Sequence, residues 1–270
     1  MMCEVFTLNT GHKIPMIGLG TYLIQGTDQT LKVIDEALKA GYRLFDTAHM
    51  YNNERYLGNA FKTLLPKHNL RREDIFITTK FVPSTSYKNE EDYLALVQES
   101  LTNLQTSYLD MIAWKALSKF KEQGLIRSIG VSNFLIRHLE ELKKECEVVP
   151  ALNQVEYHPK CYDFELLQYC KDNGILMQAY SSLGTSSNRS LRNDKTVVNI
   201  SKNYSKSASQ ILLKWALKRN VGIIPKASSK NHLEQNMDMN FDIFEDDMKI
   251  LDSMRGSYDE RLDWDPNSVI

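Results

Sequence analysis

The chain has 270 residues, 42% of them hydrophobic, enough to bury the core of one large α/β domain. Its 33 basic and 34 acidic residues nearly cancel, leaving a formal charge of −1, which argues against a broad nucleic-acid or membrane-surface role. Four cysteines without zinc-finger or redox-motif spacing suit a reducing compartment and give no metal site. The opening MMCEVFTLNTG is no signal peptide and no run reaches transmembrane length, so a cytoplasmic protein is expected.

Along the chain, Val5 to Pro15 reads as a small hairpin around Asn9-Thr10-Gly11. Met16 to Gly20 is a first short strand. A helix follows over Gln29 to Lys39, apolar at Leu31, Ile34, Ala37 and Leu38, with Gly41 placed to end it. Strand patterns recur at Arg43–Asp46, Ile75–Lys80, Tyr108–Ile112, Ile129–Ser132, Ala151–Glu156, Ile175–Tyr180 and Gly222–Lys226. Helical patterns fill the spaces, at Glu54–Leu65, Glu91–Leu104, Trp114–Phe120, Leu135–Lys144 and Phe164–Asp172, then up to Lys218, around Leu233 and over Glu245–Met254. The strands are apolar nearly throughout, as strands covered on both faces are. Eight βα units without a dividing linker predict one (β/α)₈ TIM barrel over residues 1–270, with an N-terminal β-hairpin and a tail from 257. A doubly wound sheet competes, but no G-x-G-x-x-G follows an early strand.

The fourth unit is truncated. In SYLDMIAWKALSKF, residues 107–120, strand runs into helix with almost no loop between them. A βα connection ordinarily takes about 2–6 residues. Either the strand is pulled short or the first helical turn unwinds, and both are expected to leave neighbouring strands with unpaired backbone groups.

Barrel chemistry sits at the C-terminal strand ends. Here those ends are polar: Asp46, Lys80, Ser132-Asn133, Gln154 to Glu156, Tyr180-Ser181 and Lys226. Asp46 and Lys80 end neighbouring strands, roughly 5 Å apart in the sheet direction, so carboxylate and ammonium should pair. Tyr51 follows in the loop after Asp46. A phenol is a weak acid at neutral pH, and a nearby ammonium makes it a stronger one. The trio is a candidate proton donor to a carbonyl oxygen. The competing reading is a buried structural ion pair beside an incidental tyrosine.

The runs GYRLFDTAHMYNNERYLG, IFITTKF, GLIRSIGVSNF, PALNQVEYHP, LMQAYSSLG and IIPKASSKNHLEQN together resemble the aldo-keto reductases along nearly the whole chain. The resemblance implies NADPH-dependent reduction of a small-molecule carbonyl by a monomer, with NADH as the alternate cofactor. It implies Tyr51 as general acid, Lys80 tuning it and Asp46 holding Lys80. The nicotinamide would stack on Tyr180, its carboxamide held by Ser132, Asn133 and Gln154, with Thr21 beside the cofactor. Ser181, Leu183 and Thr185 match the pyrophosphate loop. Lys226, Ser228, His232, Gln235 and Asn236 match the segment around the adenosine end. Tyr22, Phe81 and Val82 would line an apolar pocket, and the tail with Trp264 could fold over it.

Two departures from the family pattern matter. His232 stands where an Arg is common and Ala227 where a Ser is common, so the preference for NADPH should be weaker. The His-x-Pro that normally ends the fourth strand, and the long loop after it, are missing. With them go one orienting donor and part of the pocket wall. His49 and His158 are read as packing residues rather than substitutes. A catalytically impaired NADPH-binding regulatory or interaction module is therefore the alternative, and a poorly folding product a third. A block missing between intact flanks has the form of a skipped exon.

Overall fold

The apolar runs between helices become parallel strands. A computed structural model of the protein describes residues 4–81, 89–113, 123–145, 148–185, 188–255, 260–262 and 264–268. The chain opens with a hairpin, β1 (Val5–Thr7) and β2 (Lys13–Pro15), in which Phe6 faces Ile14. Then come β3 (Leu19–Gly20), α1 (Thr27–Ala40), β4 (Leu44–Asp46), α2 (Glu54–Lys67), β5 (Phe76–Lys80), α3 (Glu90–Leu104) and β6 (Leu109–Ala113). The second half runs β7 (Ile126–Ser132), α4 (Ile136–Glu145), β8 (Leu152–Glu156), α5 (Phe164–Asp172), β9 (Leu176–Tyr180), α6 (Lys195–Asn203), α7 (Ala208–Leu217), β10 (Gly222–Ile223), α8 (Lys230–Met237) and α9 (Glu245–Asp252). The predicted Trp114–Phe120 helix lies outside the described residues.

Strands β3 to β10 form one sheet in sequence order. Parallel bridges Ile17–Ile223 and Gly20–Lys226 join its two edges, completing a (β/α)₈ barrel. The seam is shorter than the sequence pattern predicts. Pro225 has no N–H to give to a ladder, so β10 stops at Ile223 and the contact continues through Gly20 N–H to the Pro225 carbonyl at 3.3 Å. A Cβ on Gly20 would lie 2.6 Å from the Ile224 carbonyl oxygen, so only glycine lets the edges meet.

Two packed layers follow from strand alternation. Inward side chains Leu44, Phe76, Met111, Leu152, Leu176 and Ile224 cluster with Leu8, Ile14 and Met16 of the hairpin region, which plugs the barrel floor. The opposite strand faces pack under the helices, as where Phe45 meets Phe61 with ring centroids 5.0 Å apart. Helix α1 turns its apolar stripe, Val33, Ile34, Ala37 and Leu38, into this layer. It ends at Gly41, whose φ of 99° lets its N–H reach the Ala37 and Leu38 carbonyls.

The fourth unit keeps its strand. β6 starts one residue later than the sequence pattern and runs one further, to Ala113. It pairs with β5 as far as Lys80–Ala113 and with β7 as far as Ala113–Gly130. Lys80 therefore does not lose its strand partner, contrary to the expectation of a strand pulled short. Val131 and Ser132 pair onward with β8, at Asn153 and Gln154.

What holds β6 is at its other end. Asp110 is 2% exposed and accepts from Arg72 at 2.7 Å, Arg127 at 3.2 Å and the Ile77 backbone N–H at 3.0 Å. The same two guanidinium groups lie 4.3 and 3.7 Å from the Tyr108 ring centroid. Removing the carboxylate strands two cations and a backbone donor. Asp110→Ala is expected to lower unfolding free energy by about 3–5 kcal/mol in urea titration. A loss under about 1 kcal/mol, the scale of a surface pair, would show the clamp to be incidental.

Candidate active site

One step along each inward row from the apolar floor, the residues turn polar. Leu44 leads to Asp46, Phe76 to Thr78 and Lys80, Leu152 to Gln154, and Leu176 to Gln178 and Tyr180. Period-two alternation thus delivers these groups to one mouth. Asp46 is 2% exposed, and both its oxygens are engaged. Lys80 Nζ donates to Oδ1 at 2.5 Å, and Gln154 Nε2 donates to Oδ2 at 2.8 Å. Lys80 Nζ also donates to the Thr47 carbonyl at 2.8 Å and lies 5.2 Å from the Tyr51 ring centroid. Burial is the largest single influence on Lys80 and disfavours its charge. Asp46 and the Tyr51 hydroxyl together outweigh it and hold the ammonium above its ordinary 10.5.

Tyr51 is half-buried and ends a single 3₁₀ turn, His49–Tyr51, where the sequence pattern gives only loop. Asn53 anchors that turn. Its Oδ1 accepts from Thr47 at 2.6 Å, and its Nδ2 donates to the Thr21 and Ile24 carbonyls at 2.9 and 3.2 Å. Thr21 is fully buried and its hydroxyl donates to the Asp46 carbonyl at 2.9 Å. Thr21 thus sits beneath the site as part of this bracing. Tyr22 is 53% exposed, with its ring 5.0 Å from that of Tyr51. Phe81 is buried, 6.0 Å from the His49 ring, and Val82 lies outside the described residues. His49 itself pairs with Glu99 at 3.2 Å, and His158 with Glu156 at 2.9 Å.

Across the mouth, Ser132, Asn133, Gln154 and Tyr180 come together on β7, β8 and β9. Ser132 donates to the Gln154 carbonyl at 3.0 Å, and Tyr180 Oη donates to Asn133 Oδ1 at 2.9 Å. Asn133 holds a left-handed φ of 59°, which asparagine tolerates. Both N–H groups of Gln154 are taken, by Asp46 and by Gln178 Oε1, each at 2.8 Å. The side-chain atoms left without a bond among the described residues are one acceptor, Gln154 Oε1, and one donor, Asn133 Nδ2. That pair is the complement of a primary carboxamide, and the Tyr180 ring beside it offers a flat face. The donor set fits a nicotinamide.

Ser181, Leu183 and Thr185 follow β9 half-buried, and Thr185 Oγ1 accepts from the Asn188 N–H at 3.1 Å. Lys226, Ser228 and His232 are exposed around the start of α8, Gln235 is partly exposed and Asn236 is buried. Ser229 caps that helix by accepting from the His232 N–H at 3.3 Å. A cation beside a helix N-terminus suits an anionic group. The tail is tethered at the mouth: the Leu262 N–H donates to Glu156 Oε1 at 2.8 Å, and Trp264 is 53% exposed.

The sequence reading missed Gln178, Asn53, Thr47 and Glu54. Each had a signal. Gln178 lies two residues from both Leu176 and Tyr180, on the inward row, and Asn53 and Glu54 follow Tyr51 closely.

Against known proteins, the aldo/keto reductase family model matches residues 16–255. This chain belongs to the aldo/keto reductase family. Glyoxal reductase of Bacillus subtilis is 34% identical over 283 positions, covering 99% of this chain and 98% of the relative. Aldose reductase of Encephalitozoon cuniculi is 33% identical, covering 94% of each. An aldo/keto reductase structure from Brucella melitensis superposes with a TM-score of 0.84 at 34% identity, covering 94% of this chain and all of that one. The aldose reductase structure from Schistosoma japonicum gives 0.86 at 28% identity, covering 94% and 93%. Membership makes the chain an oxidoreductase of the carbonyl-reducing class, whose members generally use NAD(P)H. No helix among the described residues is long and apolar enough to cross a membrane.

Glu54 is the buried acid closest in sequence to the reductase trio. It is 3% exposed, and accepts from Thr79 at 2.6 Å and Ser100 at 2.9 Å. Burial is the larger influence and raises its carboxyl above the ordinary 4.5, the two hydroxyls offsetting only part. Below 4.5 the acid is protonated folded or unfolded, so it adds no slope there. As pH rises from 4.5 through the raised folded value, the unfolded chain releases the proton first and stability falls. Urea titrations from mildly acid to neutral pH should show this decline in the wild type and its absence in Glu54→Gln. Parallel curves would refute it.

Proposed function

We propose that the protein reduces small aldehydes and ketones to alcohols, with NADPH as its dinucleotide and NADH as the alternate. The observation that carries the reading is one continuous chain of contacts, from Tyr51 and Lys80 through Asp46 to Gln154. It links a proton donor to the side chain best placed to hold a carboxamide. A bound reduced nicotinamide supplies the hydride to the carbonyl carbon. Tyr51 gives its proton to the carbonyl oxygen, Lys80 steadies the phenolate that remains, and Asp46 keeps Lys80 charged and aimed. Ser132, Asn133 and Gln154 hold the carboxamide, and Tyr180 backs the ring. Ser181, Leu183 and Thr185 flank the pyrophosphate. Lys226, Ser228, His232, Gln235 and Asn236 gather the adenosine end.

The substrate pocket includes exposed Tyr22, while Ala113 ends β6 where the family has its His-x-Pro. Without that imidazole, turnover is reduced by on the order of a hundredfold or more relative to a complete site. The residues that would hold the dinucleotide are all present, whereas the substrate side lacks that donor. This favours the second reading, a dinucleotide-binding module with little turnover. Its Bacillus relative's name makes glyoxal the first carbonyl to assay.

Steady-state reduction of glyoxal, beside fluorescence titration with NADPH, separates the readings. Tyr51→Phe is expected to cut turnover by roughly 10²- to 10⁴-fold while leaving NADPH affinity in place. Unchanged turnover would overturn the assignment of the acid. NADPH binding without measurable wild-type turnover would instead select the module. His232→Arg should raise NADPH affinity relative to NADH by about tenfold, through a guanidinium where an imidazole now stands. An unchanged ratio would place the 2′-phosphate elsewhere.

A further inference from the structure

Gln178 lies on β9 with no solvent exposure, in the inward row between Leu176 and Tyr180. A glutamine there needs a reason, because an apolar side chain would fill the same space without desolvating an amide. Its Oε1 accepts from Gln154 Nε2 at 2.8 Å, yet its own Nε2 has no partner among the described residues. One half of the amide is used and the other half is a buried cost.

The used half decides how Gln154 stands. A side-chain amide can be turned over, exchanging its donor and acceptor ends. Turned over, Gln154 would set its carbonyl oxygen against both the Asp46 carboxylate and Gln178 Oε1. In the observed orientation one N–H goes to each acceptor, at 2.8 Å in both cases. Asp46 alone would leave the second N–H free and the amide able to pivot. Two acceptors on different strands, β4 and β9, remove that freedom.

We propose that Gln178 is a positioning residue: by taking one N–H of Gln154 it fixes the other on Asp46 and leaves Gln154 Oε1 as the acceptor for the dinucleotide's carboxamide. Grip on the cofactor and the state of the Asp46–Lys80–Tyr51 chain are then set by one buried relay. This rests on the proposed dinucleotide reading. The relay also explains why the orphaned Nε2 is tolerated: a buried acceptor at this point is bound to a side chain that carries a donor with it.

The test uses the full chain and three forms of residue 178. Gln178→Met keeps the volume and removes both the acceptor and the orphaned donor, so its fold should survive. Gln178→Glu restores an acceptor, since a carboxyl buried beside Asp46 stays protonated and still offers its carbonyl oxygen. Fluorescence titration with NADPH should give a Kd raised roughly three- to tenfold in Gln178→Met and returned towards wild type in Gln178→Glu. Equal weakening in both variants, or no change in either, overturns the proposal and leaves the reductase reading standing. Wild-type protein that binds no NADPH overturns both. Should Gln178→Met fail to fold, nitrogen-resolved NMR of the wild-type Gln154 side chain decides. Slow exchange of both amide protons supports the relay, and fast exchange of either removes it.

Discussion

A carboxylate at the centre of a barrel is stable only if its charge is answered on every side. Asp46 meets this condition with an ammonium on one oxygen and an amide on the other. An apolar group in place of Lys80 would leave a buried charge uncompensated, and one in place of Gln154 would leave a buried carboxylate oxygen without its donor. The surroundings are ordered to keep both in place. Thr21 and Asn53 brace the backbone around Asp46 and Thr47, and the Thr47 carbonyl takes a second proton of Lys80. The bracing is polar and the floor below it is apolar, so the charge cannot drift downwards. Tyr51 then sits against a cation whose position is decided by others.

The fourth strand shows a different solution to a different stress. Its side-chain anchors lie at its N-terminal end. Asp110, Arg72 and Arg127 tie β5, β6 and β7 together at the floor, with Tyr108 held between two guanidinium planes. Anchored there, β6 keeps its ladder as far as the level of Lys80. A single strand of five residues needs such an anchor, because its own backbone bonds do not fix its register against two neighbours.

Much of this was legible from residue order. The apolar strands with polar ends announced the barrel and its mouth, and the Asp46–Lys80 pair followed from their places on adjacent strands. Gly41 after α1 marked that helix end as it stands. Three things were less visible for physical reasons. Pro225 shortened the seam because it has no N–H to offer, although it sits inside an apolar run. The charges that hold β6 come from Arg72, Asp110 and Arg127, which are far apart in sequence and meet only in the folded sheet. Gln178 drew no reading within LMQAY, because its bonding depends on which amide end meets which acceptor across the barrel.

The contact across the barrel also sets the place of the fourth unit. In sheet order, β6 lies between β5, which carries Lys80, and β7, which carries Ser132. A path along the sheet between these two strands crosses the end of β6 or goes the long way round the closed barrel. The observed contacts take another path. Gln154 on β8 reaches Asp46 on β4, four strands away, through the interior of the barrel. Nothing on that path belongs to the fourth unit. The link between Asp46 and Gln154 therefore does not run through the fourth unit, whatever that unit contributes at the mouth.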